Sequence, residues 1–303
     1  MYAMVENQPD SLEVMLARIE KNAKRRNAER GYQDGPSVKT TILKLPLWPD
    51  GFTGIPNGIL RSALFSIVRK GTREYQHCAS KTIREGITVS FTGYQLDQAD
   101  LDVWENCIRL VHKQALGCRV SFTLYEFLKA IKRHPKGENV AWLSASLVRL
   151  TTSTLLIKAA NLQFQGTLIE YLYKAEDGTH EVSLNPKIID LYNTGWTQIE
   201  LAQRLKLRRH PLAQWLHGFY CTHAKPYPLK VKTIHDMSGS NYAELRFFKR
   251  DLQKALRLIE SEIGWEWLID EADNVHINKQ PTPSQARHLA KVAKKPQKPT
   301  RPP

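Results

Sequence analysis

The sequence predicts an α+β, mainly helical chain. It is read as two tandem units between flexible basic ends, each unit a helix-turn-helix followed by a β-hairpin wing. Three observations predict this. Amphipathic helical stretches are twice followed by paired β-rich runs around a turn signal, at Asp177-Gly178 and again at Asp273-Asn274. Polar basic segments flank these stretches at both ends. The 303 residues, 42% of them apolar, suffice for two modest cores. The expected organisation is a basic N-terminal arm over 1–44, a first winged-helix domain over 45–193, a second over 194–278 with Gly195 at the junction, and a disordered basic tail over 279–303. The two copies share an order of elements, not visible sequence similarity.

In the arm, Leu12, Met15, Leu16, Ile19 and Ala23 fall on one helical stripe, while Lys21, Lys24, Arg25, Arg26 and Arg30 make it basic. This reads as a solvated, partly helical arm or as one that touches DNA or a partner. Pro56 precedes an entry helix with Asn57 as N-cap and a stripe of Leu60, Leu64 and Ile67. Residues 87–94 are β-branched and aromatic, hence a strand. Residues 97–114 form a helix that turns Leu101, Trp104, Ile108 and Val111 inward. Thr123 and Glu126 have capping-box spacing and open a helix to about Lys132, broken by Pro135, Lys136 and Gly137. A helix over 139–156 and strands over 162–173 and 179–184 complete the first unit.

In the second unit Thr197 and Glu200 cap a helix, and Pro211 begins another at its tolerated first position. Residues 229–237 give a third helix, 241–263 a long fourth opened by Asn241, and 265–277 the closing hairpin. The tail, over 278–303, holds seven Lys or Arg, no acid and recurrent Pro. It suits sequence-independent phosphate contacts or a simple solubilising end.

The net charge of +14 attracts polyanions: DNA, RNA or an anionic membrane surface. No apolar run approaches the roughly 18 residues of a membrane span, and the N-terminus lacks a signal-peptide core. A soluble cytoplasmic chain without a membrane partner is therefore expected. Cys78, Cys107, Cys118 and Cys221 form no Cys-x-x-Cys pair and read as reduced thiols. No phosphate-binding Gly-rich loop and no His-x-His pair occurs. His217 and His223 near Cys221 read as packing, Glu260 and Glu262 lie on different helical faces, and Trp215, Phe219 and Tyr220 read as core. No catalytic group, metal or cofactor is expected.

The helix over 241–263 carries the functional reading. At 100° per residue Leu245, Phe248, Leu252, Ala255, Leu256, Ile259 and Ile263 share about one third of the wheel. Arg246, Lys249, Arg250, Gln253, Lys254 and Arg257 form a contiguous basic face on one side, and Glu244, Asp251 and Glu262 collect on the other. Such a helix buries one sector and presents another to phosphates and base edges: Arg reaches guanine bidentately, Gln reaches adenine, and Lys neutralises phosphate. In the first unit Val140, Leu143, Leu147, Leu150 and Thr154 point inward. Trp142, Ala145, Ser146, Arg149, Thr152 and Ser153 lie opposite. There Ser146 and Arg149 are candidate DNA contacts or plain exposed surface. The same holds for Lys132, Arg133 and Lys136 at the preceding turn. Lys158, Lys174 and His180 are weaker wing candidates.

As a string, Leu45-Pro-Leu-Trp-Pro-Asp50 and the run from Ile55 to Phe65 resemble the entry segment of the TrfA family of plasmid replication initiators. The likeness resumes at Ile87–Gly93, Val120–Glu126 and Pro226–Lys230, in order, and covers roughly residues 45–278. The resemblance implies binding to direct repeats (iterons) in double-stranded plasmid origin DNA and opening of adjacent AT-rich DNA. It also implies recruitment of the host replication initiator and replicative helicase. It further implies a monomer-dimer equilibrium with self, with a dimer interface on the first domain, and two domains reading successive major grooves. Some members carry a sliding-clamp motif before the Trp-Pro-Asp; the matching span near Lys39–Leu43 lacks its Gln and aromatic end. The same fold also serves a winged-helix transcriptional repressor without initiator activity, and the charge also suits a general nucleoid or RNA-binding protein.

Overall fold

Two hydrophobic cores organise the chain, and the sequence parts them between Ile199 and Leu207. The computed structural model describes residues 43–68, 73–80, 88–112, 115–159 and 162–293. The expected arm up to residue 42, most of the span from Lys39 to Leu43 and the tail beyond Ala293 lie outside the described residues.

The first core opens with β1 (Phe52–Pro56) and α1 (Asn57–Leu60). The expected long entry helix is one turn. Pro56, not Asn57, occupies the N-cap, and the Asn57 side chain accepts instead from Thr197 Oγ1 at 2.7 Å. The chain then turns through β2 (Phe65–Ser66), so Leu64 is buried outside any helix. After β3 (Tyr75–Ser80), β4 (Thr88–Tyr94) and β5 (Leu96–Asp97) comes α2 (Gln98–Val111). Asp97 caps α2 by accepting the N–H groups of Ala99 and Asp100, both at 2.9 Å. Leu101, Trp104, Ile108 and Val111 are buried, as their spacing predicts. Each such side chain contributes roughly 1.5–3 kcal/mol by leaving water.

β6 (Val120–Thr123), α3 (Leu124–Ala130) and α4 (Gly137–Thr152) follow, and the Thr123–Glu126 capping box is formed in both directions. α4 ends earlier than expected. Thr154 to Leu156 belong to β7 (Thr154–Ala159), which pairs antiparallel with β4 and β8 (Leu162–Gly166). The expected strand over 162–173 is therefore two strands in different sheets, β8 and β9 (Ile169–Lys174). β9 turns at Asp177-Gly178 into β10 (Thr179–Leu184), and a three-stranded sheet runs β6-β10-β9. A short 3₁₀ turn (Pro186–Ile188), α5 (Ile189–Asn193) and β11 (Trp196–Glu200) close the core. The expected Thr197 cap is absent because that stretch is strand, paired antiparallel with β1 across about 140 residues of sequence.

The second core holds α6 (Leu201–Lys206), α7 (Pro211–Cys221), β12 (Leu229–Lys230), α8 (Val231–Met237), α9 (Leu245–Ile263), β13 (Glu266–Ile269) and β14 (Asn274–Asn278). Pro211 is the first residue of α7, as expected. α9 begins later than expected, with Glu244 at its N-cap and Asn241 outside it. Its C-cap Gly264 has φ +81°, and its N–H bonds Glu260 O at 2.9 Å; a left-handed cap favours Gly. The sheet runs β12-β14-β13. Both units place a short strand before two helices and pair it with the second strand of a later hairpin, β9–β10 in the first, where β7 and β8 intervene, and β13–β14 in the second.

Residues expected in the disordered tail form α10 (Pro283–Ala293), opened by Thr282 Oγ1 accepting Gln285 N–H at 3.3 Å. Gln285 also donates to Cys221 O at 2.7 Å, which ties the start of α10 to α7. The cores are joined by Trp215, whose indole N–H donates to Ser62 O at 3.2 Å, and by Arg204, which reaches from α6 to α2.

Candidate nucleic-acid interface

α9 buries Phe248, Leu252, Ala255, Leu256 and Ile259, so its opposite side must face outward. Leu245 is the exception on the expected apolar stripe, being exposed in the first turn. Arg246, Arg250, Lys254 and Arg257 are exposed; Lys249 and Gln253 are half-buried beside them. Arg246 pairs with Glu244 at 2.6 Å, and Lys249 pairs with Asp273 in the turn of the β13–β14 hairpin. Asp251, expected on the acidic side, lies at the seam instead: Lys254 Nζ is 2.9 Å away and Arg250 Nε 3.5 Å. The Tyr242 hydroxyl donates to Asp251 and is the main cause holding that carboxyl below the usual range. These pairs are exposed or partly exposed and each contributes little, so the cations remain exchangeable to an incoming anion.

Phe247 was not singled out by periodicity. It is exposed on the outward face of α9, with the Arg246 and Arg250 guanidinium groups 4.8 and 5.5 Å from its ring centre. An apolar residue out of phase with the buried stripe and between two Arg was the available signal. The hairpin turn beside α9 is held by Asp270, which accepts the backbone N–H groups of Ala272 at 3.0 Å and Asn274 at 2.8 Å. His276 Nε2 lies 2.9 Å from the same carboxylate, and this contact is the largest cause keeping it far below its ordinary pKa.

In the first unit the structure moves two expected contacts inward. Ser146 is fully buried and donates to Asp100 Oδ1 at 2.6 Å; Arg149 pairs with the same carboxylate at 2.6 Å. Asp100 is buried in α2, where a carboxylate requires charged and hydrogen-bonding partners. α4 supplies them because it packs on α2. Ser146 and Arg149 therefore hold the helices together and do not form outward contacts. Ser153, also expected outward, is buried. Ala141, Ala145, Val148 and Thr152 are the exposed residues of that face.

Lys132 and Arg133 stand in an open cleft of about 940 Å³ with Lys129, His134, Arg208 and Arg209. The cleft lies between the α3–α4 turn and the α6–α7 turn. The Arg133 guanidinium lies over the Trp142 ring, 3.8 Å from its centre. Burial chiefly pulls its guanidinium below the usual pKa, opposed by Asp102 and reinforced by Arg208. Lys136 is exposed at the N-cap of α4, outside the cleft lining. Lys129, Arg208 and Arg209 were missed in sequence: tertiary packing, not periodicity, brings them together. Among the described residues no group of three or more His, Cys, Asp and Glu is placed to hold a metal, and no helix is long and apolar enough to cross a membrane.

Fold and surface together define a mixed α/β protein with two strand-helix-helix-hairpin units and an outward cationic helix. A family model described as TrfA protein matches residues 21–279, and the chain belongs to the TrfA family. The plasmid replication initiator protein TrfA of Escherichia coli is 22% identical over 255 residues, covering 80% of this chain. The chain spans 65% of that relative's length. Among solved structures, domains 2 and 3 of RctB share the fold with a TM-score of 0.52 at 12% identity, covering 74% of this chain and 98% of that one.

Proposed function

We propose that this chain is a plasmid replication initiator built from two winged-helix units, and that it binds direct repeats in double-stranded origin DNA. The observation that carries the reading is the outward basic face of α9, set beside a hairpin anchored to it by Lys249 and Asp273. In this reading Arg246, Arg250, Lys254 and Arg257 meet phosphates and base edges, with Lys249 and Gln253 at the margin. Family membership and the printed name of the Escherichia coli relative support the initiator role. Origin opening, recruitment of the host initiator and helicase, and a monomer-dimer equilibrium belong to the same proposal. The chain acts by binding, not as an enzyme.

The test is to place the gene with its flanking DNA on a replicon that cannot replicate. Rescue of replication, together with binding of purified protein to repeats in that DNA, supports the proposal. Specific binding without rescue assigns a repressor; binding that ignores sequence assigns a general nucleic-acid coat.

A further inference from the structure

We infer that the cleft between the α3–α4 and α6–α7 turns is a phosphate-binding site for the sugar-phosphate backbone of the same DNA that α9 engages. The inference deepens the proposed function and rests on that reading. Lys129, Lys132, Arg133, Arg208 and Arg209 line the cleft, and none of the described residues lining it is acidic. Gathering these cations around one solvent space raises the local positive potential, which attracts an anion.

Two of the cations, Arg208 and Arg133, are held by side-chain contacts. Arg208 spends its guanidinium on two backbone carbonyls of the α3–α4 turn, Ile131 O at 3.2 Å and Lys132 O, which locks the two turns together. Arg133 N–H bonds Leu128 O at 2.8 Å, and its guanidinium lies over the Trp142 ring, 3.8 Å from its centre. Lys132 and Arg209 both hold left-handed backbone, at φ +55° and +75°. That conformation costs a non-glycine residue about 1–2 kcal/mol, and at both places it carries a cation of the cleft lining.

Arg209 links the cleft to α9. It also lines a smaller groove of about 240 Å³ whose walls include Lys254 and Ala255 of α9. Asp251 lines the same groove and pairs with Lys254 at 2.9 Å, so the cations of the cleft reach α9 through Arg209 at an exchangeable ion pair. The open 940 Å³ cleft is larger than one inorganic anion needs, and its continuity with α9 fits a polymer carrying several phosphates.

The experiment uses the full chain and fluorescent duplexes, one with the repeat and one unrelated, titrated across salt. The variant combines Lys129→Gln, Lys132→Asn and Arg209→Asn, the last two chosen because Asn tolerates left-handed backbone. Arg208 is kept for its carbonyl contacts. The expected result is a parallel loss of affinity for both duplexes and a fall in the slope of log K against log salt of about 2–3, near 0.9 per lost phosphate contact. If the triple variant melts lower than its parent, Lys129→Gln alone replaces it, with an expected fall of about 1. An unchanged slope in the variant overturns the inference. So does sodium triphosphate binding that the variant loses while its DNA binding stays intact, since that assigns the cleft to a soluble polyphosphate. The control Arg250→Ala/Lys254→Ala separates the two readings. If it loses repeat binding while the cleft variant keeps the parent slope, the cleft inference alone fails. If neither variant changes DNA binding, the functional reading fails with it.

Discussion

Arg204 Nε sits 2.7 Å from Asp102 Oδ1, an ion pair that spans the two cores with the arginine side chain 1% exposed. Arg204 also donates to Gln98 O at 3.0 Å and lies 3.2 Å from Glu105. A buried pair of this kind adds little over well-packed apolar residues, but losing one partner strands the other's charge. Arg204→Ala is expected to lower stability by about 3–5 kcal/mol in urea denaturation. A loss below about 1 kcal/mol would mean that water reaches Asp102 and Glu105 freely.

Arg149→Ala tests the reassignment of that residue from surface to core. It removes a partner of buried Asp100 while Arg73, 2.9 Å away, remains. Stability should fall by about 3 kcal/mol, with DNA affinity per folded molecule unchanged. A specific loss of DNA affinity in a protein of parental stability would restore Arg149 to the interface.

Arg250→Ala tests the α9 face itself. Arg250 is exposed, and its nearest carboxylate, Asp251, is shared with Lys254. If Arg250 reads a base, the change weakens binding to the repeat by roughly 1–3 kcal/mol and relaxes preference at one position. Equal affinity of variant and parent for the repeat removes Arg250 from that role.

Much of this was legible in sequence because the signals act within a few residues. The cap at Thr123, Pro211 opening α7 and the Asp177-Gly178 turn each stand where local chemistry puts them. The basic face of α9 was legible for the same reason, since a 3.6-residue period is local. Pairings distant in sequence were not. β1 with β11 and β4 with β7 pre-empt helix signals at Thr197 and at residues 154–156, because a strand partner satisfies their backbone. Arg149 was misplaced because a helical wheel weighted by apolar residues does not register a buried carboxylate on a neighbouring helix.

Gly239, in the turn between α8 and α9, bears on how the second core meets the first. Its φ is +63°, and a Cβ there would lie 2.8 Å from the Cβ atoms of both Ala63 and Ser66. Gly239→Ala is therefore expected to cost at least about 1–2 kcal/mol from backbone strain alone, with the clash added. A melting temperature equal to the parent's would show that this turn can shift without consequence.

Two buried groups give the chain opposed pH dependences. Burial, with Arg204 and Lys279 adding to it, lowers His217 to about 3 from an ordinary 6.5. The unfolded chain therefore takes up a proton that the fold excludes, and stability from this group is lost as pH falls from 6.5 toward 3. Burial raises Glu105 to about 7 from 4.5, against the attraction of Arg204. The fold keeps a proton that the unfolded chain releases, so stability from this group is lost as pH rises from 4.5 to 7. Between 4.5 and 6.5 the two slopes, each up to about 1.4 kcal/mol per pH unit, oppose each other. Glu105→Gln should expose the histidine slope, giving a variant less stable at pH 4.5 than at 6.5. His217→Asn should expose the carboxyl slope and give the reverse. Urea midpoints at the two pH values distinguish them, and variants that both track the parent would show that neither group titrates on unfolding.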